Sequence, residues 1–183
     1  MSGLGAGIKE NGRREGFEEG SFSILFRLVR NGLLSIEEAS NQVGLTVDEF
    51  QEREIEFRDS LPYAKANDND TTSASSSNYD QVLDSMGLKD TRNNLLNSKT
   101  NRLSTVYGIE MTKDLLDNLT ELTSLSLILK EEGHREGFTE GTIKTLSRLI
   151  NEGKLTISDA AETAEMTVDE LLEKKEVFER LNS

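Results

Sequence analysis

Side chains able to do chemistry are few in this chain, and none stands where chemistry would need it. There is no cysteine and one histidine, His134. A zinc site draws on those residue types, so no ligand set for one is present. No serine or threonine is spaced with a base that would activate it. No glycine loop ends in Lys-Ser or Lys-Thr to cradle a phosphate. The 34 Asp and Glu residues fall in no loop with calcium-ligand spacing. The sequence therefore predicts a protein that is not an enzyme and that holds no cofactor and no metal. His134 aligns with Arg13 in a repeat described below and reads as a surface position.

Two other sets of residues have a spacing that could serve contact rather than catalysis. Gly12, Gly16 and Gly20, and again Gly133, Gly137 and Gly141, recur every fourth residue. That spacing puts each trio on one face of a helix. Each glycine costs about 1 kcal/mol relative to alanine inside a helix, so three in a row need a physical reason. Close backbone approach by another helix supplies one, either between two parts of the chain or between two chains. These six glycines are therefore the expected helix-packing or oligomerisation residues. Their charged neighbours distinguish them from the membrane dimer motif. The second set is Arg92, Lys99 and Arg102, on one side of a helical stretch rich in Asn. They form the one candidate basic face for an acidic partner or for phosphates.

The elements that must position these residues occur twice. Residues 12–58 match residues 133–179 without a gap at an offset of 121, with about 20 of the 47 pairs identical. Each copy reads as three helices. In the first, apolar positions Phe17, Ile24, Leu25, Leu28 and Val29 lie on one broad face. Gly32 suits a left-handed C-cap. Ser35-Ile36-Glu37-Glu38 and Thr46-Val47-Asp48-Glu49 are capping boxes that open a short second helix and a third. The second copy repeats the plan, with Asp159 replacing glutamate in its first box and Thr167-Val168-Asp169-Glu170 as its second. Phe17, Leu25, Leu28 and Phe57, with Phe138, Leu146, Leu149 and Phe178, are the expected core residues.

The expected fold is all-α, with two similar helix-turn-helix-like modules. Residues 1–11 read as a flexible N-terminus, 12–59 as module one, 60–78 as a disordered linker, 79–132 as a helical connector and 133–183 as module two. The linker carries the only proline and a Ser, Thr, Asn and Asp run that cannot fill a core. In the connector, Tyr79–Met86 and Asp90–Tyr107 read as helices stopped by Gly87 and Gly108. Thr112 then caps a pattern of leucines with no proline before the second module, so one helix is expected from about Thr112 to Glu152. A rod of that length, roughly 60 Å at ~1.5 Å per residue, should find a partner helix.

The net charge of −13 is spread evenly along the chain, which argues against a nucleic-acid partner. The third helix of each module, where a helix-turn-helix protein would read bases, opens with carboxylates. No apolar run spans a membrane, no signal peptide opens the chain, and the absence of cysteine fits a cytoplasmic setting.

The stretches Arg14–Phe50 and Arg135–Leu171, with Glu-Gly at four-residue spacing and a Thr-Val-Asp-Glu box, resemble the C-terminal tail of the recombination-promoting nuclease / putative transposase family. In that family the catalysis belongs to an N-terminal PD-(D/E)XK core, for which this sequence shows no counterpart, so no catalytic residue carries over. The resemblance implies a tail-only protein, an oligomerisation or regulatory module that binds a nuclease-bearing relative; the expected role is to regulate a nuclease or another defence or mobile-element protein. The sequence-level expectation is a homodimer with a protein partner. The alternatives are a helix-turn-helix DNA regulator and an acidic mimic of DNA.

Overall fold

The computed structural model describes residues 3–59 and 79–181. Every regular element among them is α-helical: α1 Leu4–Arg30, α2 Ile36–Val43, α3 Val47–Asp59, α4 Tyr79–Ser85, α5 Lys89–Tyr107, α6 Lys113–Asn151, α7 Ile157–Thr163 and α8 Val168–Leu181. The expected linker over 60–78 lies outside the described residues.

The long helices α1 and α6 lie side by side and parallel. Gly12, Gly16 and Gly20 face Lys130, His134 and Phe138 in that order, and Gly133, Gly137 and Gly141 face Lys9, Arg13 and Phe17. Each contact in one direction has its counterpart in the other at the repeat offset of 121. A pseudo-twofold axis along the helix pair therefore relates the copies. α6 starts at the Thr112 cap, whose hydroxyl accepts from the Leu115 amide at 3.3 Å. It runs unbroken into the second module, and α1 is the partner helix its glycines call for.

Both long helices end in the same way. Gly32 and Gly153 each take φ +70°, a left-handed turn that glycine adopts without strain. The short second helices start at Ser35 and Thr156. Ser35 and Glu38 form a full reciprocal box. The shorter Asp159 instead meets the Thr156 hydroxyl at 2.6 Å, while that hydroxyl accepts from the Asp159 amide. The third helices repeat one geometry, with Glu49 accepting from the Thr46 amide at 2.8 Å and Glu170 from the Thr167 amide at 2.7 Å.

α2, α3, α7 and α8 close over the C-terminal ends of the pair, and the two modules share one core rather than building two. It joins Leu25, Leu28, Ala39 and Phe50 of the first copy to Leu146, Leu149, Ala160 and Leu171 of the second. Burying a leucine of this kind stabilises by about 2 kcal/mol. Phe57 and Phe178 pack against this core from its edge, and Phe17 and Phe138 are half-buried along the helix pair. A smaller cluster of Leu83, Leu88 and Ile128 seats α4 and the start of α5 on α6.

The expectation of a flexible N-terminus over 1–11 is corrected from Leu4 onward, where α1 begins; residues 1–2 lie outside the described residues. Sequence composition alone suggests fraying, but α6 lies alongside. Leu129 approaches Gly5, and Lys9 pairs with Glu136 at 2.7 Å.

Candidate functional site

The glycine seam leaves no room for a side chain at any of its six glycines. A Cβ placed on any of the six glycines would lie 2.6–2.9 Å from a carbonyl carbon of the opposite helix, and closer still to its oxygen. The obstacle is backbone, which cannot swing aside as a side chain can. The six glycines give up roughly 1 kcal/mol apiece in helix propensity. In return the two backbones approach more closely than the usual interaxial distance of ~8–10 Å allows. Two hydroxyls complete the seam symmetrically: Ser21 Oγ donates to the Gly141 carbonyl and Thr142 Oγ1 to the Gly20 carbonyl, each at 3.3 Å.

Four ion pairs flank the seam, and they too come in symmetric couples. Lys9–Glu136 at 2.7 Å matches Lys130–Glu15 at 2.8 Å. Arg13–Glu140 at 2.7 Å matches His134–Glu19 at 2.9 Å. His134 is therefore not the plain surface position its alignment with Arg13 suggested; it is half-buried at the helix interface. The hydrogen bond to Glu19 raises its pKa above the ordinary imidazole value against the opposing effect of burial. The same bond lowers the pKa of Glu19. Beyond the seam, Arg27 reaches Glu165 at 2.6 Å and Arg148 donates to the Gln42 carbonyl at 2.7 Å. Arg27 thus reaches the turn between α7 and α8, and Arg148 the last turn of α2, each in the opposite copy. The sequence held the signal for the four seam pairs, because each acid and each base in them recurs at the repeat offset.

The basic face expected of Arg92, Lys99 and Arg102 is corrected. Arg92 is 8% exposed. α4 folds across the start of α5 and delivers Asp80 to its guanidinium, while the Asn93 side-chain oxygen Oδ1 accepts from Nε at 3.2 Å. Its charge is spent inside the protein. Lys99 and Arg102 stay together further along α5, where they border a groove of about 620 Å³. Lys99 Nζ donates to the buried Thr123 hydroxyl at 3.2 Å. The groove lies between α5, the first turns of α1 and the N-terminal half of α6, with Leu119, Leu122, Leu125 and Leu129 along α6. Leu122 is 62% exposed and Tyr107, at the α5 end, 61%. Three separate elements build this groove, so no local sequence pattern announced it.

Among the described residues no three His, Cys, Asp or Glu side chains gather to hold a metal ion, and no helix is long and apolar enough to cross a membrane. The first turns of α3 and α8 expose Asp48 and Glu49, and Asp169 and Glu170. In comparisons with known proteins, no family model, no curated protein and no solved structure matches the chain.

Proposed function

We propose that this protein is a non-enzymatic interaction module that binds and regulates a protein partner, a nuclease or another defence or mobile-element protein. The observation that carries the reading is the duplicated helix paired on itself. The chain spends six helical glycines and four cross-helix ion pairs on holding two copies of one module in a fixed relation. Such a frame positions surfaces rather than reacting groups. The partner class follows from the resemblance of both copies to a nuclease tail. Because the seam is filled from within the chain, a partner must use another surface or open the pair.

The test is to mix the full chain with a nuclease-bearing relative whose tail carries the module, then to read complex mass and plasmid cleavage. The expected result is a stable complex with altered cleavage. Separate elution with unchanged cleavage would contradict the proposal.

The exposed carboxylates at the starts of α3 and α8 favour a second reading, in which an acidic surface occupies a DNA-binding groove of the partner. Competition between this protein and duplex DNA for the same nuclease would support it, and simultaneous binding would count against it. The helix-turn-helix alternative gains little from the geometry. Glu49 and Glu170 are engaged in capping their own helices, and the neighbouring carboxylates repel phosphate.

A further inference from the structure

We propose that the groove beyond the glycine seam takes one short amphipathic helix of a partner chain. The partner helix carries aliphatic residues on one face and a carboxylate directed at Lys99 and Arg102. The inference rests on the interaction reading above and names the surface and the chemistry of the partner.

The groove continues the seam. α6 has 39 residues and α1 has 27, and their C-terminal ends coincide in the repeat. α6 therefore runs ahead of α1 by about 12 residues, or roughly 18 Å. Over that length the face that α1 covers further along is left open among the described residues. Leu122 is 62% exposed there, and Leu125, level with Leu4 at the start of α1, is 37% exposed. The seat is the one a helix already occupies in the next turns, so another helix fits its direction and width. Extending the four-residue spacing back from Gly133 reaches Leu129 and Leu125, not glycine. An occupant beyond them must then sit at ordinary helix distance and interdigitate side chains with Leu119 and Leu122.

Charge adds to this continuity. The chain is acidic at −13, yet the wall of this apolar groove carries two cations. Among the described residues neither Lys99 nor Arg102 has a carboxylate partner. Lys99 is held over the groove by the Thr123 hydroxyl. An aliphatic floor beside unpaired cations complements a helix with spaced leucines and an acidic flank.

The test uses the full chain and a fluorescein-labelled synthetic peptide of about four helical turns, with leucine at i, i+3, i+7 and i+10 and glutamate at most other positions. Saturable binding by anisotropy is expected. Leu122→Asp, at an exposed position that leaves the fold intact by circular dichroism, should weaken it at least ~10-fold. Lys99→Ala with Arg102→Ala should weaken it roughly 5-fold and flatten its salt dependence. A peptide with lysine in place of glutamate should bind more weakly. Absence of saturable binding overturns the proposal, as does binding indifferent to Leu122→Asp. A dimer of the full chain that Leu122→Asp dissociates would assign the groove to a second copy and overturn it. Stoichiometric uptake of oleate without uptake of the peptide would assign it to an anionic amphiphile, with the same consequence. A nuclease complex that survives Leu122→Asp would overturn the groove while leaving the proposed function standing.

Discussion

The two copies share a frame and differ in what fills it. In the first, Phe22, Phe26, Phe50 and Phe57 form an aromatic cluster, with the Phe26 ring 4.9 Å from Phe50 and 5.6 Å from Phe57. The equivalent positions in the second are Ile143, Ser147, Leu171 and Phe178. Ser147 is buried where Phe26 stands in the other copy, and its hydroxyl finds no partner among the described residues. The turn before the third helix differs as well. Gly44 takes φ +71° without strain, whereas Glu165 holds φ +56°, a region costly for a residue with a Cβ. The seam glycines, the caps and the ion-pair positions recur in both copies. Side chains facing a shared core can change if their neighbours compensate, but a glycine facing a carbonyl has no substitute. The duplicated frame is thus fixed by backbone contact and the filling by volume.

The largest expected effect comes from breaking what the copies share. Gly137→Leu places a side chain against the Arg13 carbonyl and should abolish cooperative thermal unfolding. A sharp transition at the wild-type temperature would show that the helices do not meet there. The next effect compares the two fillings. Phe50→Ala should cost about 3–5 kcal/mol and its counterpart Leu171→Ala about 2–4 kcal/mol, read by chemical denaturation. Equal costs would mean that the aromatic cluster adds nothing beyond its volume. Ser147→Ala, which removes a buried orphan hydroxyl, should be neutral or stabilise by up to about 1 kcal/mol. A clear loss would reveal a partner for that hydroxyl.

The smallest effect separates His134–Glu19 from Arg13–Glu140. A histidine whose pKa is raised on folding stabilises fully below its unfolded value, near pH 6.5. That contribution fades as pH rises through the folded value. Glu19, whose pKa is lowered, contributes above the ordinary carboxylate range and loses its contribution in acid. The pair is therefore worth most in mildly acidic solution, and under about 1 kcal/mol because water screens both groups. His134→Arg should remove the decline towards alkaline pH in melting profiles. An undiminished decline would place its origin elsewhere.

Much of the frame is legible from residues alone. The glycine spacing, the capping boxes and the long helix from Thr112 are local signals. The location of the seam within a single chain is not local, because four-residue glycine spacing serves a neighbour in the same chain or in another equally well. Arg92 shows a different limit. Helical periodicity put it beside Lys99 and Arg102, but α4, from outside that helix, brought Asp80 and buried it. The groove escaped for the same reason, since α1, α5 and α6 each supply only part of it.

The central claim is that the glycines serve backbone contact between the two copies. One substitution made at two places in the same helix tests it. Gly7 and Gly16 both lie in α1; a Cβ on Gly7 meets nothing within 4 Å, whereas one on Gly16 runs into the His134 carbonyl. Helix propensity alone predicts that both alanine variants gain up to about 1 kcal/mol. Thermal or chemical unfolding of the two should instead give opposite signs, with Gly7→Ala slightly more stable than wild type and Gly16→Ala clearly less stable. Stabilisation by both substitutions would contradict the seam.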